Sequence, residues 1–345
     1  MADTTAFITL ENISKQFPGV LALDNVNLTL RKGEVHCLAG QNGCGKSTII
    51  KVISGVYHPE KGAQILLDGK LFHHLTPQLS SHYGIQVIYQ DLSLFPNFSV
   101  AENIAVNRYL PGGDIWVRRG AMKQQALAAM KRIGVNIDPD KKVEKLSIAD
   151  RQLVAICRAI AADARLVIMD EPTASLTRQE VNGLLKVVNE LKAAGICVVF
   201  VSHRLDEVME VADRISVMRD GKLVGTYPAS ELDSHELAFL MTGQRFHYSP
   251  LPEKSFDDRE PLLELRNLSR RGKYQNINLS LHGGEIVSIV GLLGAGRTEL
   301  CLSLFGMTHP ESGEMRINGQ PVTLRNNHDA IKHGIGYVSE DRLTQ

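Results

Sequence analysis

Gly40-Gln41-Asn42-Gly43-Cys44-Gly45-Lys46-Ser47 has the spacing G-x-x-x-x-G-K-[ST], which suits the capture of a polyphosphate. Glycines let backbone N–H groups approach an anion closely. A helix opening at the loop adds its N-terminus to the same anion. The Lys46 ammonium would reach the β and γ phosphates, and the Ser47 hydroxyl would hold Mg²⁺. A second set of candidates follows Leu166-Val167-Ile168-Met169, an apolar run ending in Asp170 and Glu171. Asp170 can orient Mg²⁺ through its water shell, and Glu171 can polarise an attacking water as general base. Gln90, after Gln86-Val87-Ile88-Tyr89, offers a neutral amide able to bind both Mg²⁺ and water. His203 ends the run Val199-Phe200-Val201-Ser202, where it could contact a γ-phosphate. Phe17 could stack on adenine, worth about 1–3 kcal/mol, or could be a core aromatic. The sequence leaves both open. Ser147, with Asp150 three residues on, has N-cap spacing before a helix expected over 153–162, and that helix start could serve a phosphate.

These residues need elements to aim them. Val35 to Ala39 predicts a strand leading into the loop, and Thr48 to Ser54 a helix leaving it and ending at Gly55. Arg165 to Met169 and Cys197 to Ser202 are nearly all apolar, as strands buried on both faces should be. Thr177-Arg178-Gln179-Glu180 has capping-box spacing and opens a helix that ends near Gly195. Arg214 to Met218, a turn at Asp220-Gly221, and Leu223-Val224 predict a hairpin. The expected fold is α/β, a P-loop core with a β-rich N-terminal layer and a helical subdomain inserted over about 91–145.

The loop recurs. Gly291-Leu292-Leu293-Gly294-Ala295-Gly296-Arg297-Thr298 repeats the frame with Arg297 at the lysine position. Gly33-Glu34 returns as Gly284-Glu285, and Gly55, Pro59 and Gly62 as Gly306, Pro310 and Gly313, all 251 positions on. One fixed offset means two copies of one domain. The expected layout is a first domain over 1–242, a Pro-containing and charged linker over 243–261, and the N-terminal part of a second copy over 262–345. A sheet cut short there should expose apolar surface and open strand edges.

The chain of 345 residues carries 38 basic and 38 acidic side chains, a net charge of zero. That balance gives no general electrostatic footing for nucleic acid as a partner. No apolar run approaches the ~20 residues of a membrane span, and Met1-Ala2-Asp3-Thr4-Thr5 lacks the basic start and apolar core of a secretory signal. The five cysteines form no C-x-x-C pair and read as reduced core residues of a cytosolic protein. The histidines show no metal-ligand spacing.

Taken together, these residues resemble the ATPase subunits of ATP-binding cassette (ABC) transporters. Gly40 to Thr48 resembles Walker A, Gln90 the Q-loop, Leu146 to Asp150 the signature segment, Leu166 to Glu171 Walker B, Thr173 to Thr177 the D-loop and His203 the switch histidine, in the family order. Phe17-Pro18-Gly19-Val20-Leu21-Ala22-Leu23-Asp24, Glu171 to Thr177 and Gly291 to Thr298 further resemble the tandem ATPases of bacterial sugar importers, the ribose, xylose, galactose or autoinducer-2 type. The resemblance implies a translocating ATPase with ATP and Mg²⁺ as ligands, with Glu171, His203 and Gln90 catalytic, and with Ser47, Gln90 and Asp170 around Mg²⁺. Implied partners are integral-membrane permease subunits, an external solute-binding protein reached through the permease, and a second ABC domain that supplies a signature segment. The place implied is the cytoplasmic face of the bacterial inner membrane. Such domains pair head to tail, and the family's second domain continues past Gln345. Arg297, Ile148, Ala149 and Glu340 depart from the family pattern, all on one composite site, which implies one hydrolytic and one degenerate site. The rival readings are a non-catalytic remnant or regulatory fragment, and a soluble ABC ATPase acting on ribosomes or DNA.

Overall fold

The computed structural model describes residues 6–109, 118–245, 260–292 and 294–339. The chain divides into two compact units, residues 1–247 and 248–345. Most of the linker expected over 243–261 lies outside the described residues, as do Leu293, Glu340 and residues 110–117 of the expected helical subdomain.

Unit 1 opens with β1 (Ala6–Phe17) and β2 (Val20–Arg31), then β3 (Val35–Gly40), α1 (Lys46–Ile53), β4 (Gln64–Leu67), β5 (Lys70–Phe72), α2 (Pro77–His82) and β6 (Ile85–Ile88). The helical insertion holds α3 (Val100–Tyr109) and α4 (Arg119–Arg132), and leads to α5 (Ile148–Ala161). The rest is β7 (Leu166–Asp170), α6 (Arg178–Ala193), β8 (Cys197–Val201), α7 (Leu205–Val211), β9 (Arg214–Arg219), β10 (Lys222–Pro228) and α8 (Ser234–Thr242). One sheet has the order β2-β1-β4-β5 and is antiparallel; the other runs β10-β9-β3-β8-β7-β6. In the second sheet β9, β3, β8, β7 and β6 are parallel, and β10 is an antiparallel edge.

The reason lies in side-chain character. β3 is buried along its whole length and β8 likewise, so each needs strands on both sides and cover on both faces. One core packs α3 to α6 against one face of the parallel sheet; a second packs α1 and the antiparallel sheet against the other. The expected α/β core, β-rich layer and helical insertion are all present. The helix expected over 153–162 begins five residues earlier, at Ile148, because Ser147 caps it: Asp150 N–H donates to Ser147 Oγ at 3.1 Å. The apolar pattern used to place it starts later than the cap does.

A buried polar group lies at the root of β3. His36 Nε2 is 2.8 Å from Ser216 Oγ, Nδ1 is 3.3 Å from Glu34 Oε1, and Arg214 Nη1 is 3.3 Å from Glu34 Oε2. Burial pushes the His36 imidazole well toward its neutral form. Burial pushes the Glu34 carboxyl up, but His36, the Arg31 N–H and Arg214 outweigh it and hold the group ionised.

Unit 2 contains β11 (Leu263–Arg270), β12 (Tyr274–Leu281), α9 (Arg297–Leu304), β13 (Ser312–Ile317), β14 (Gln320–Pro321) and α10 (Asn327–Lys332), with sheet order β12-β11-β13-β14. The repeat extends to fine geometry. Asn12 N–H donates to Asn27 Oδ1 at 2.9 Å, and Asn267 N–H to Asn278 Oδ1 at 2.9 Å. The helices α1 and α9 each start after a left-handed glycine, Gly45 and Gly296. Residues 286–291, the counterpart of β3, form no strand, and Ile286, Val290 and Leu292 are 93%, 87% and 85% exposed. In unit 1 that strand is hydrogen-bonded on both sides, to β8 and β9. Among the described residues of unit 2 no strand flanks it.

Candidate functional site

Parallel strands place their C-terminal ends on one edge, and in open α/β sheets ligands sit there. The phosphate loop leaves β3, Gln90 follows β6, Asp170 and Glu171 end β7, and Ser202-His203 follow β8. The register aligns these ends: Ile88 pairs with Met169, and Asp170 with Val201. Residues from four distant stretches of sequence therefore converge on one edge.

The loop is held from behind. Gly45 has φ +107, and a Cβ there would lie 2.7 Å from Ala22 O, so this position admits glycine alone. The β9–β10 turn props the loop, Gly221 N–H donating to Cys44 O at 3.1 Å. Sequence reading took Asp220-Gly221 only as a turn; the hairpin also carries the loop. Lys46 is 7% exposed and folds back, its Nζ donating to Gly40 O at 2.7 Å and Gln41 O at 2.8 Å, with Cys44 Sγ at 3.8 Å. Gln41, Asn42, Gly43 and Ser47 are exposed, Thr48 is half-buried, and Cys44 is buried.

Glu171 has φ +47, a left-handed conformation that costs a residue with a Cβ about 1–2 kcal/mol. Its N–H donates to Val201 O at 3.0 Å, and its Oε1 lies 3.2 Å from His203 Nδ1. The candidate base and the candidate switch residue are thus in direct contact across two strands. Burial pushes the Asp170 carboxyl up, and the neighbouring Glu171 adds to it, against the opposing pull of Lys46 and Lys51. A crowded acidic pair facing a phosphate loop fits a hard divalent cation, which takes few carboxylates and completes its shell with hydroxyl, water and phosphate.

Two further sequence candidates come from other elements. Phe17 ends β1 and is half-buried, its ring 5.2 Å from the Tyr57 ring edge-on, with Lys15 Nζ 5.6 Å from its centroid. It is therefore not a core aromatic. Leu146 to Asp150 open α5, and no hydrogen bond or ion pair among the described residues joins them to the strand ends. Four cysteines are buried, Cys301 is half-buried, and all are free; burial pushes the Cys157 thiol up to about 12 and raises Cys37 and Cys197 as well. Sequence reading missed Glu207, a buried carboxylate behind Glu171 and His203. Its only sequence signal is its place one turn after His203, in a helix that also carries Asp206 and Glu210.

Together the sheet edge, loop and acidic pair define a phosphate-loop nucleotide hydrolase of the cassette type. The family model described as ABC transporter matches residues 23–174 and 274–345. The chain is 43% identical to Ribose import ATP-binding protein RbsA 3 of Rubrobacter xylanophilus over 336 residues, 97% of this chain and 67% of that protein. It is 42% identical to Ribose import ATP-binding protein RbsA 1 of Agrobacterium fabrum, over 98% of this chain and 66% of that protein. Among solved structures it is similar to the ADP conformation of MJ1267, an ATP-binding cassette of an ABC transporter, at 28% identity and TM-score 0.63, covering 70% of this chain and all of that one. A nucleotide-free ATP-binding cassette matches at 27% identity, TM-score 0.60, 70% of this chain and 96% of the other. The chain belongs to the ABC transporter family and is an ABC-type ATPase similar to sugar-import ATP-binding proteins. It spans about two thirds of the length of the curated relatives it matches.

Proposed function

We propose that unit 1 binds MgATP and hydrolyses it to energise import of a sugar, the relatives' names covering ribose, galactose and methyl galactoside without choosing among them. The observation that carries this reading is the 3.2 Å contact of Glu171 with His203 on the strand edge that also bears the phosphate loop. The loop N–H groups and Lys46 bind the phosphates, and Phe17 stacks on adenine. Ser47, Gln90 and Asp170 would hold Mg²⁺, which supplies charge neutralisation at the β and γ oxygens when bound. Glu171 takes a proton from the attacking water, and its contact with His203 orients the carboxylate and ties it to the state of the γ-phosphate. Leu146 to Asp150 would serve a nucleotide on a second ABC domain, and that domain would return its own signature to unit 1. No helix among the described residues is long and apolar enough to cross a membrane, so permease subunits would bring the chain to the cytoplasmic face of the inner membrane, with an external solute-binding protein delivering the sugar.

The test is ATP hydrolysis by the wild type and Glu171→Gln, each with a complete ABC domain supplied in trans. The amide keeps shape and removes the base, so binding should persist and hydrolysis should fall by about 10²–10⁴-fold. Equal turnover by the two proteins would overturn the assignment.

A further inference from the structure

Glu207 lies in the first turn of α7 and is 1% exposed. Its Oε2 accepts from Thr173 Oγ1 at 2.6 Å and from Ser202 Oγ at 3.1 Å. The Arg204 guanidinium sits 2.8 Å from its Oε1, an ion pair whose geometry is not that of a hydrogen bond. Ser202 Oγ accepts in turn from Arg204 N–H at 3.0 Å. Thr173 and Ser202 are themselves 1% and 2% exposed.

The positions of the two donors matter most. Thr173 comes two residues after Glu171, and Ser202 comes one before His203. A single carboxylate oxygen therefore fastens the loop leaving β7 to the loop leaving β8, beside the pair that faces the γ-phosphate. A buried carboxylate is tolerated only with donors in place, which draws both hydroxyls, and so both loops, to one oxygen. It also restrains a segment that starts from the left-handed Glu171, a conformation that surrounding structure must enforce.

We propose that Glu207 is a positioning residue for hydrolysis: it clamps Thr173 to Ser202 and so sets the approach of Glu171 to His203. This rests on the hydrolytic reading of that pair. It also couples the Thr173–Thr177 loop to His203, because both hydroxyls anchor on one oxygen, and losing that carboxylate releases both loops at once.

The experiment uses the full chain with Glu207→Ala, Glu207→Gln and Glu171→Gln. ATP hydrolysis is followed in single turnover with protein in excess, so that slow chemistry is readable. MgATP affinity comes from a fluorescent adenine nucleotide, and amide hydrogen exchange is read on peptides spanning 171–177 and 202–206. Glu207→Ala should slow hydrolysis by about tenfold, equivalent to about 1.4 kcal/mol of barrier, while affinity stays within about threefold. Both peptides should exchange faster together, with exchange in β3 and α1 unchanged. Glu207→Gln keeps an oxygen able to accept both hydroxyls and should stay within about threefold of wild type in rate. An unchanged rate and unchanged exchange in Glu207→Ala, or loosening of one loop alone, would overturn the clamp. So would a rate loss that merely follows affinity. Should Glu207→Ala fold poorly, Thr173→Val and Ser202→Ala each remove one donor; each should loosen its own loop and slow hydrolysis at unchanged affinity, and a wild-type rate in both would overturn the clamp. If Glu171→Gln leaves the rate intact, the hydrolytic reading fails, and the exchange measurement still decides the clamp.

Discussion

Lys46→Ala separates two roles of one ammonium. Before nucleotide arrives, Lys46 Nζ donates to Gly40 O at 2.7 Å and Gln41 O at 2.8 Å. Binding must break those bonds before the ammonium can serve phosphate. A hydrogen bond to a charged group contributes about 1.5–3 kcal/mol net. Because the ammonium leaves two good carbonyl acceptors, the gain on moving to phosphate falls at the low end, about 1.5 kcal/mol. That predicts affinity for MgATP weaker by about tenfold, since 1.4 kcal/mol is one decade. Lys46→Ala should also lower the melting temperature without ligand. Gln41 O keeps the Cys44 N–H at 3.3 Å as a partner, so the loss is at most about one buried acceptor, 1–3 kcal/mol. The assay is titration of a fluorescent adenine nucleotide into both proteins, with melting curves at zero and saturating nucleotide. Affinity unchanged within a factor of about two would refute the reasoning. So would a stability loss on ligand-free protein with no loss of binding, because that would leave Lys46 a loop staple only. Lys46→Arg, which mimics Arg297 of unit 2, should not rescue, because the planar fork cannot enter the space that the ammonium fills.

Three further outcomes follow from the same site and its surroundings. Asp170→Asn should raise the melting temperature of the nucleotide-free chain at neutral pH while abolishing the Mg²⁺-dependent part of ATP retention. The Asp170 carboxyl is raised by burial and by Glu171, so its penalty exists above its folded pKa and fades as pH falls through it, and the gap between the two melting curves should close on acidification. Asp68 takes both Arg165 Nη1 at 3.0 Å and Nη2 at 2.9 Å, and Arg165 with Lys32 lowers its carboxyl to about 2. Its contribution is present above the ordinary value of 3.8 and lost toward about 2, so Asp68→Asn should melt below wild type at pH 6 and alongside it near pH 2, a test made by acid melting series. Phe17→Ala should weaken ATP by about 1–3 kcal/mol of lost stacking and leave inorganic triphosphate binding unchanged; equal loss for both ligands would remove Phe17 from the base site.

Much of the site is local and so is written locally. The loop is eight consecutive residues, the acidic pair closes an apolar run, and Thr177 caps α6 through a residue three positions away, with Thr177 N–H donating to Glu180 Oε2 at 2.8 Å. Each depends on backbone geometry within one or two turns, which residue type and spacing fix directly. The 251-residue offset likewise needs only the string of letters, and the matching Asn12–Asn27 and Asn267–Asn278 bonds are its structural counterpart.

Tertiary structure decided what joins distant segments. The order β3-β8-β7-β6 brings Gln90, Glu171, His203 and the loop to one edge, and no local pattern states which strand lies beside which. Packing alone shows that Gly221 carries the loop and that Phe17 is not in the core. Glu207 was illegible for the same reason: its worth depends on Thr173 and Ser202, which only pairing of β7 with β8 brings within reach. Sequence spacing specifies bonds that close over a few residues; bonds between strands depend on the pairing that hydrophobic burial selects for the whole sheet, and they exist only once that sheet has formed.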